Sequence, residues 1–149
     1  NTQELNTSNA KIIADQQLDL IGKQSINNQQ GQYSAVQVNI DTAQLNNDQG
    51  LIQHTGQNDF ILNVADRIDN NAGKIISNAN TTEIKTNTLS SVAGELLHAG
   101  EQQLQITAQN LQGQQGKIQS NNNLKMDLGT ANLDNAVESN DLFSTVSSL

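Results

Sequence analysis

A glycine returns along this chain at near-constant distance, and each time it opens the same short phrase. Gly31, Gly50, Gly73, Gly94 and Gly116 follow one another at nearly even intervals, and Ala10 takes the same place one interval before Gly31. After each comes a polar residue, an aliphatic, a polar stretch and an aliphatic-x-aliphatic pair. Leu or Ile and an Asn-rich run close the phrase. Residues 73–93 read GKIISNANTTEIKTNTLSSVA, and residues 94–115 read GELLHAGEQQLQITAQNLQGQQ. A fixed period of about 20 residues marks stacked repeats, none of which can bury its apolar face alone. Such an architecture favours a binding or spacing role over catalysis.

Within each repeat the apolar residues alternate with polar ones, as in Leu104-x-Ile106, Val38-x-Ile40 and Leu124-x-Met126-x-Leu128. That period of two predicts strands. A second inward point follows each glycine by two residues: Ile12, Tyr33, Ile52, Ile75, Leu96 and Ile118. A third precedes the Asn run: Leu5, Ile26, Leu45, Ile68, Leu89, Leu111 and Leu133. No window holds the 3.6-residue stripe of an amphipathic helix. The expected fold is all-β: a parallel β-solenoid of roughly six to seven coils, about 21 residues each, with three short strands per coil. Leucine-rich repeats share the period but need a longer Leu framework and a helical return limb.

The glycines suit tight corners, where positive φ or close backbone approach excludes a Cβ. The residues after the third inward point should stack as polar columns, Asn27, Asn46, Asp69 and Asp134 in one, Asn28, Asn47, Asn70 and Asn135 in the next. Amides stacked at about 4.8 Å can bond one another. Lys74, Glu95 and Lys117 fall in a neighbouring column, the acid between two bases. The third coil is the longest, and Gly56, Gln57, Asn58 and Asp59 read as an insertion bulging outward before Phe60, a possible partner-binding loop. After Asn135 the pattern degrades. Residues 1–135 are read as repeats and 136–149 as a divergent coil or a terminal flap, with Leu142, Phe143 and Val146 covering the stack.

Composition fits a solenoid better than a globule. Only 34% of residues are apolar and 2% aromatic, a thin core for one compact domain. The apolar residues are too regularly placed for a disordered chain, and Pro is absent. The net charge of -8 repels phosphate backbones and anionic lipid surfaces. No nucleic-acid partner is therefore expected, and no stretch reaches the roughly 18 apolar residues of a membrane span. With no Cys there are no disulfides and no thiolate metal ligands. Asn1 opens in mid-pattern, since Leu5-Asn6-Thr7 matches the tail of a coil, so the chain is expected to continue into neighbouring repeats of a longer parent.

No catalytic, cofactor-binding or metal-binding residue is assigned. His54 and His98 share a column two coils apart, about 10 Å, too far for a shared ion, and are expected as exposed polar residues. Asp41, Asp59, Asp66, Arg67 and Asp69 gather around the second and third coils. A polysaccharide-cleaving site would need two of these carboxylates to converge on one substrate. Asn6-Thr7-Ser8 and Asn80-Thr81-Thr82 match the glycosylation pattern, but chance matches are expected in a chain this rich in Asn and Thr.

The phrases LNNDQGLI, IDNNAGKIIS, LQITAQNLQGQQGKIQS and LKMDLGTANLDNA resemble the haemagglutinin repeats of filamentous haemagglutinin-like exoproteins, over about residues 5–136. Leu111-Gln112-Gly113 and Leu89-Ser90-Ser91 depart from the family's Asn consensus. The resemblance implies a right-handed β-helix shaft in a very large protein exported by a two-partner system, through an outer-membrane transporter, to the bacterial surface or beyond. It implies adhesion to a host or bacterial cell-surface protein or glycan, without catalysis. A receptor-recognising stalk of a contact-dependent growth-inhibition toxin is the first alternative, and a polysaccharide-active β-helix enzyme the second.

Overall fold

Every stretch that alternates in the sequence becomes hydrogen-bonded strand. The computed structural model describes residues 2–133 and 145–148. In chain order the strands are β1 (Thr2–Asn6), β2 (Lys11–Ile13), β3 (Gln17–Asn27), β4 (Gln32–Ala35), β5 (Gln37–Asn46), β6 (Leu51–His54), β7 (Phe60–Asp69), β8 (Lys74–Ser77), β9 (Thr81–Ser90), β10 (Glu95–His98), β11 (Gln103–Gln112), β12 (Lys117–Ser120), β13 (Asn123–Asn132) and β14 (Thr145–Ser148). The odd-numbered strands form one seven-stranded sheet and the even-numbered strands another. All pairings are parallel. The chain is a parallel β-solenoid of about six turns, and each turn takes up one sequence repeat.

Each turn uses two strands, where three were expected. The long strand carries two of the three inward points and bends between them. In β11, Leu104, Ile106 and Ala108 are buried, Gln109 and Asn110 are both exposed, and Leu111 is buried again. The inward spacing slips from two to three there. The strand thus turns a corner while still pairing with β9 and β13 on either side.

Equivalent residues of successive turns stand directly above one another. Ile12, Tyr33, Ile52, Ile75, Leu96 and Ile118 are consecutive register partners. So are Ile26, Leu45, Ile68, Leu89 and Leu111. Spaced about 4.8 Å apart, these columns give a continuous dry core. Tyr33 and Phe60 lie fully inside it, as do Ile75, Ile84 and Leu89. The last member of the third column is Ala131, not Leu133, because Leu111 pairs with Ala131. Leu124 to Ala131 is the same seven-residue step as Leu104 to Leu111, and the ladder keeps that step. Strand β14 adds a rung to the short sheet, with Val146 in register with Ile118. Leu142 and Phe143 lie outside the described residues.

Two irregularities interrupt the stack. Leu18 to Ile26 and Phe60 to Ile68 each contain one residue more than Val38 to Leu45. The surplus is taken up by bulges between Gly22 and Ser25 and between Asn63 and Arg67. The second irregularity lies between β5 and β7. Their pairing begins only at Thr42 and Val64, although β3 with β5 and β7 with β9 pair from their first turn-facing residues onward.

Candidate functional site

Two polar columns flank the short sheet, one at each end of its strands, and an open seam lies on the long sheet. The first column begins at the glycine corner. Gly31, Gly50 and Gly73 each donate their N–H to the carbonyl three residues back, on Asn28, Asn47 and Asn70, at 2.9 to 3.1 Å. The left-handed residue of this reverse turn is not the glycine. Positive φ falls on the residue before it: Gln30 (56°), Gln49 (57°), Ala72 (52°), Ala93 (53°) and Gln115 (60°). Glycine is required at the corner for close approach. A Cβ on Gly73 would stand 2.1 Å from the Asn47 carbonyl oxygen, and one on Gly94 equally close to that of Asn70. Gly116 faces the Ser91 carbonyl in the same way, at 2.5 Å.

Of the two expected amide columns, one is a ladder. Asn28, Asn47 and Asn70 are fully buried. Asn28 Nδ2 donates to Asn47 Oδ1 and Asn47 Nδ2 to Asn70 Oδ1, both at 2.7 Å, and Asn70 Nδ2 donates to Ser91 Oγ at 3.1 Å. Each amide also donates to a carbonyl of the next short strand, on Leu51, Lys74 and Glu95 respectively, at 3.2 to 3.3 Å. Asn27 and Asn46 instead act within their own turns. Their Oδ1 atoms accept the N–H of Gln29 (3.0 Å) and Asp48 (2.9 Å). Asp69 leaves the pattern to bind Arg67. Asp134 and Asn135 lie outside the described residues, and the described register gives the two places after Ala131 to Asn132 and Leu133. At its N-terminal end the ladder stops on a buried Asn28 Oδ1 without a partner. Thr7, in the preceding coil, directs its hydroxyl to the Asn27 carbonyl (3.0 Å) and to the Tyr33 hydroxyl.

The second column holds Ala35, His54, Ser77, His98 and Ser120 in register. Both histidines are buried, at 0% and 2% exposure, which corrects the expectation of exposed residues. Each is satisfied by the turn that follows its strand or the adjacent one. His54 Nε2 donates to the Asn58 carbonyl (3.0 Å), while Nδ1 accepts the Val38 N–H (3.3 Å). These partners fix the neutral Nε2–H tautomer, and burial holds the imidazole below its ordinary pKa. Its ring stacks on Phe60, centroids 5.0 Å apart. His98 Nε2 donates to the Ala79 carbonyl (2.9 Å), and Nδ1 lies 2.9 Å from Ser120 Oγ. The sequence could not reveal this burial, because the compensating acceptors are backbone carbonyls.

The expected insertion is tied down. Gly56 N–H bonds the Val36 carbonyl (2.9 Å), the Gln57 carbonyl accepts Asn80 N–H (2.9 Å), and Asp59 Oδ1 accepts Thr81 N–H (3.2 Å). The side chains of Gln57, Asn58 and Asp59 remain exposed. Nor is this turn unique in length: His98 to Leu104 spans as many residues as His54 to Phe60.

The acidic group does not converge. Asp59 lies just before β7, bonded to the Thr81 N–H, whereas Asp66 lies within β7, beyond the start of its bulge. Arg67 Nε pairs with Asp69 at 2.7 and 2.8 Å on the surface. Among the described residues no three His, Cys, Asp or Glu side chains are placed to hold a metal ion. No helix there is long and apolar enough to cross a membrane. Lys74 pairs with Glu95 across turns at 3.0 Å, as the column pattern predicted.

The seam is the feature that sequence reading missed. Where β5 and β7 fail to pair, a groove opens on the outer face, lined by Asp19, Ile21, Asn39, Asp41 and Ile61 over the strands of Leu20 and Ile40. His54 helps to open it by capturing the Val38 N–H beside Phe60. The one sequence signal was the change of coil length at this point. Gly31 to Gly50 is the shortest interval between corner glycines, and Gly50 to Gly73 is the longest. Compared with protein-family models, curated proteins and solved structures, the chain matches none.

Proposed function

We propose that this chain is a non-catalytic shaft segment of a large secreted or surface-exposed bacterial exoprotein of the filamentous haemagglutinin type, exported by two-partner secretion. It holds a binding surface away from the cell and contributes to adhesion on a host or bacterial surface protein or glycan. The observation that carries the reading is the unbroken vertical register of the short-sheet core column, from Ile12 to Ile118. Length in such a fold grows with copy number, which is the property a spacer needs. The repeat phrases over residues 5–136 supply the family and the export route.

Fusing the chain in tandem tests the shaft. Each added copy should lengthen the particle by roughly 30 Å at constant cross-section in small-angle scattering. Compaction, or growth in width, refutes it. Beads coated with the chain should also retain bacterial or host cells above uncoated beads.

A second reading is a receptor-recognising stalk of a contact-dependent growth-inhibition toxin. It is favoured by the exposed side chains of Gln57, Asn58 and Asp59, carried on a turn that hydrogen bonds tie to the body of the stack. Replacing those three with Ser should then abolish cell binding and leave scattering unchanged. A polysaccharide-cleaving enzyme would need carboxylates free to converge on one substrate, whereas Asp69 is engaged by Arg67 and Asp59 by the Thr81 N–H.

A further inference from the structure

We propose that the seam between the second and third coils is a docking groove for an extended peptide segment that carries aliphatic and basic side chains.

The backbone makes the first argument. From Gln37 to Asp41 and from Phe60 to Asn63, β5 and β7 have no register partners in each other. A parallel strand directs half of its N–H and C=O groups to each side, so apart from the Val38 N–H, which His54 Nδ1 occupies, these stretches keep donors and acceptors for a segment lying along the seam. Unpaired strand backbone of this kind is what extended peptides use when they bind by main-chain hydrogen bonds, with side-chain pockets supplying selectivity.

The side chains make the second. Ile61 is 57% exposed and Ile21 42%, two of the four most exposed large aliphatics in the described chain, and both line this groove. Ile13 and Val36 are the other two exposed aliphatics and lie outside the groove lining, so two such residues flanking one depression mark a contact surface.

Charge makes the third. The lining holds the carboxylates of Asp19 and Asp41 and no Lys or Arg. Asp19 is held in place by Asn39 Nδ2 at 2.7 Å and by Gln17 Nε2 at 2.8 Å. These donors keep its carboxylate below the ordinary range, so it stays ionised. A lysine or arginine stem can lie on the isoleucines while its charged head reaches a carboxylate. An acidic or purely apolar segment would leave Asp19 and Asp41 uncompensated.

The inference deepens the adhesive reading and rests on it for the partner's presence at a cell surface. Its test uses only the whole chain in solution, so it can fail while the scattering test of the shaft succeeds. The probe is a blocked hexapeptide of alternating valine and lysine, titrated into the 15N-labelled chain at low salt. A valine–glutamate hexapeptide is the control. Amide shifts should concentrate on residues 19–21, 39–41 and 60–63. Ile61→Ser and Asp41→Asn should each weaken binding at least fivefold, and Gln105→Ala, two coils further on, should not change it. Ile61 points outward, so its substitution spares the core. Shifts scattered over the shaft, equal binding of the two peptides, or no saturable shifts would each overturn the proposal.

Discussion

The two polar columns beside the short sheet are built on opposite plans. Asn28, Asn47 and Asn70 bond along the stack, each to the turn above, and Ser91 accepts the last of these bonds. His54, Ser77 and His98 bond mostly to the turn that follows their own strand or the adjacent one, through the carbonyls of Asn58 and Ala79 or the hydroxyl of Thr82. The difference follows from chemistry. An amide is donor and acceptor at once, so identical amides extend indefinitely, provided every turn has the same length. Asn28 to Gly31, Asn47 to Gly50, Asn70 to Gly73, Ser91 to Gly94 and Gly113 to Gly116 are all three residues. On the other side Ala35 to Val38, His54 to Phe60, Ser77 to Thr82 and Ser120 to Leu124 all differ in length. The ladder fixes register at one corner. Side chains that find local carbonyls let the other corner vary, and that is where the seam opens.

The largest effect should come from filling the ladder's corner. Gly73→Ala puts a methyl 2.1 Å from the Asn47 carbonyl, and both atoms belong to rigid backbone. We expect a loss of about 3 kcal/mol or more in urea unfolding, or failure to fold. A loss under about 1 kcal/mol would mean that the corner can relax and that the ladder does not impose turn length.

Next comes a direct contrast of the columns. Asn47→Ala removes a side chain that bonds both neighbours; it orphans Asn70 Oδ1 in a buried site and leaves Asn28 Nδ2 only its 3.3 Å bond to the Leu51 carbonyl. The stranded acceptor and the lost amide bonds together should cost about 2 to 4 kcal/mol. Ser77→Ala removes bonds to Thr82 Oγ1 and Ala79 N–H, both local, and should cost about 1 to 2 kcal/mol. Equal losses would erase the distinction between the two plans.

Much of this was legible beforehand, for a physical reason. Columns repeat, so Ile75, Leu96 and Ile118 could be aligned from their distance to the glycine alone. The buried amide ladder could be aligned in the same way. What could not be read was whatever depends on backbone partners. Positive φ falls on Gln30, Gln49, Ala72 and Ala93, residues too varied to announce it. The burial of His54 depends on the carbonyl of Asn58. Leu133 does pack against the core, but it leaves the column of Ile26 to Leu111, because the ladder follows the seven-residue step that ends on Ala131.

Acid should affect the variable corner first. His54 is neutral in the fold, with its pKa pushed below the ordinary 6.5 by burial. Above that value folded and unfolded chains both carry a neutral ring, and its full contribution is present. As the pH falls below 6.5 the unfolded chain takes up a proton that the folded one resists. Stability therefore drops until the folded pKa is passed. Urea midpoints measured from pH 7.5 to 5 should fall more steeply for the native chain than for His54→Phe. Parallel profiles would place the acid sensitivity elsewhere.

The smallest effect tests whether the ladder corner holds strain that its repeats never relieved. Ala93 sits at φ 53°, in the left-handed region that an alanine enters at a cost of about 1 to 2 kcal/mol. Glycine enters it freely but gives up more chain entropy, about 0.5 to 1 kcal/mol. Ala93→Gly should therefore stabilise the chain by up to about 1 kcal/mol, with no change in the Asn70 to Ser91 bond beside it. Ala99→Gly is the matched control. That residue is likewise an exposed alanine just before a glycine, but at the variable corner and without positive φ. It should lose stability or stay unchanged. If both substitutions shift the midpoint the same way, the left-handed geometry is not what distinguishes the two corners.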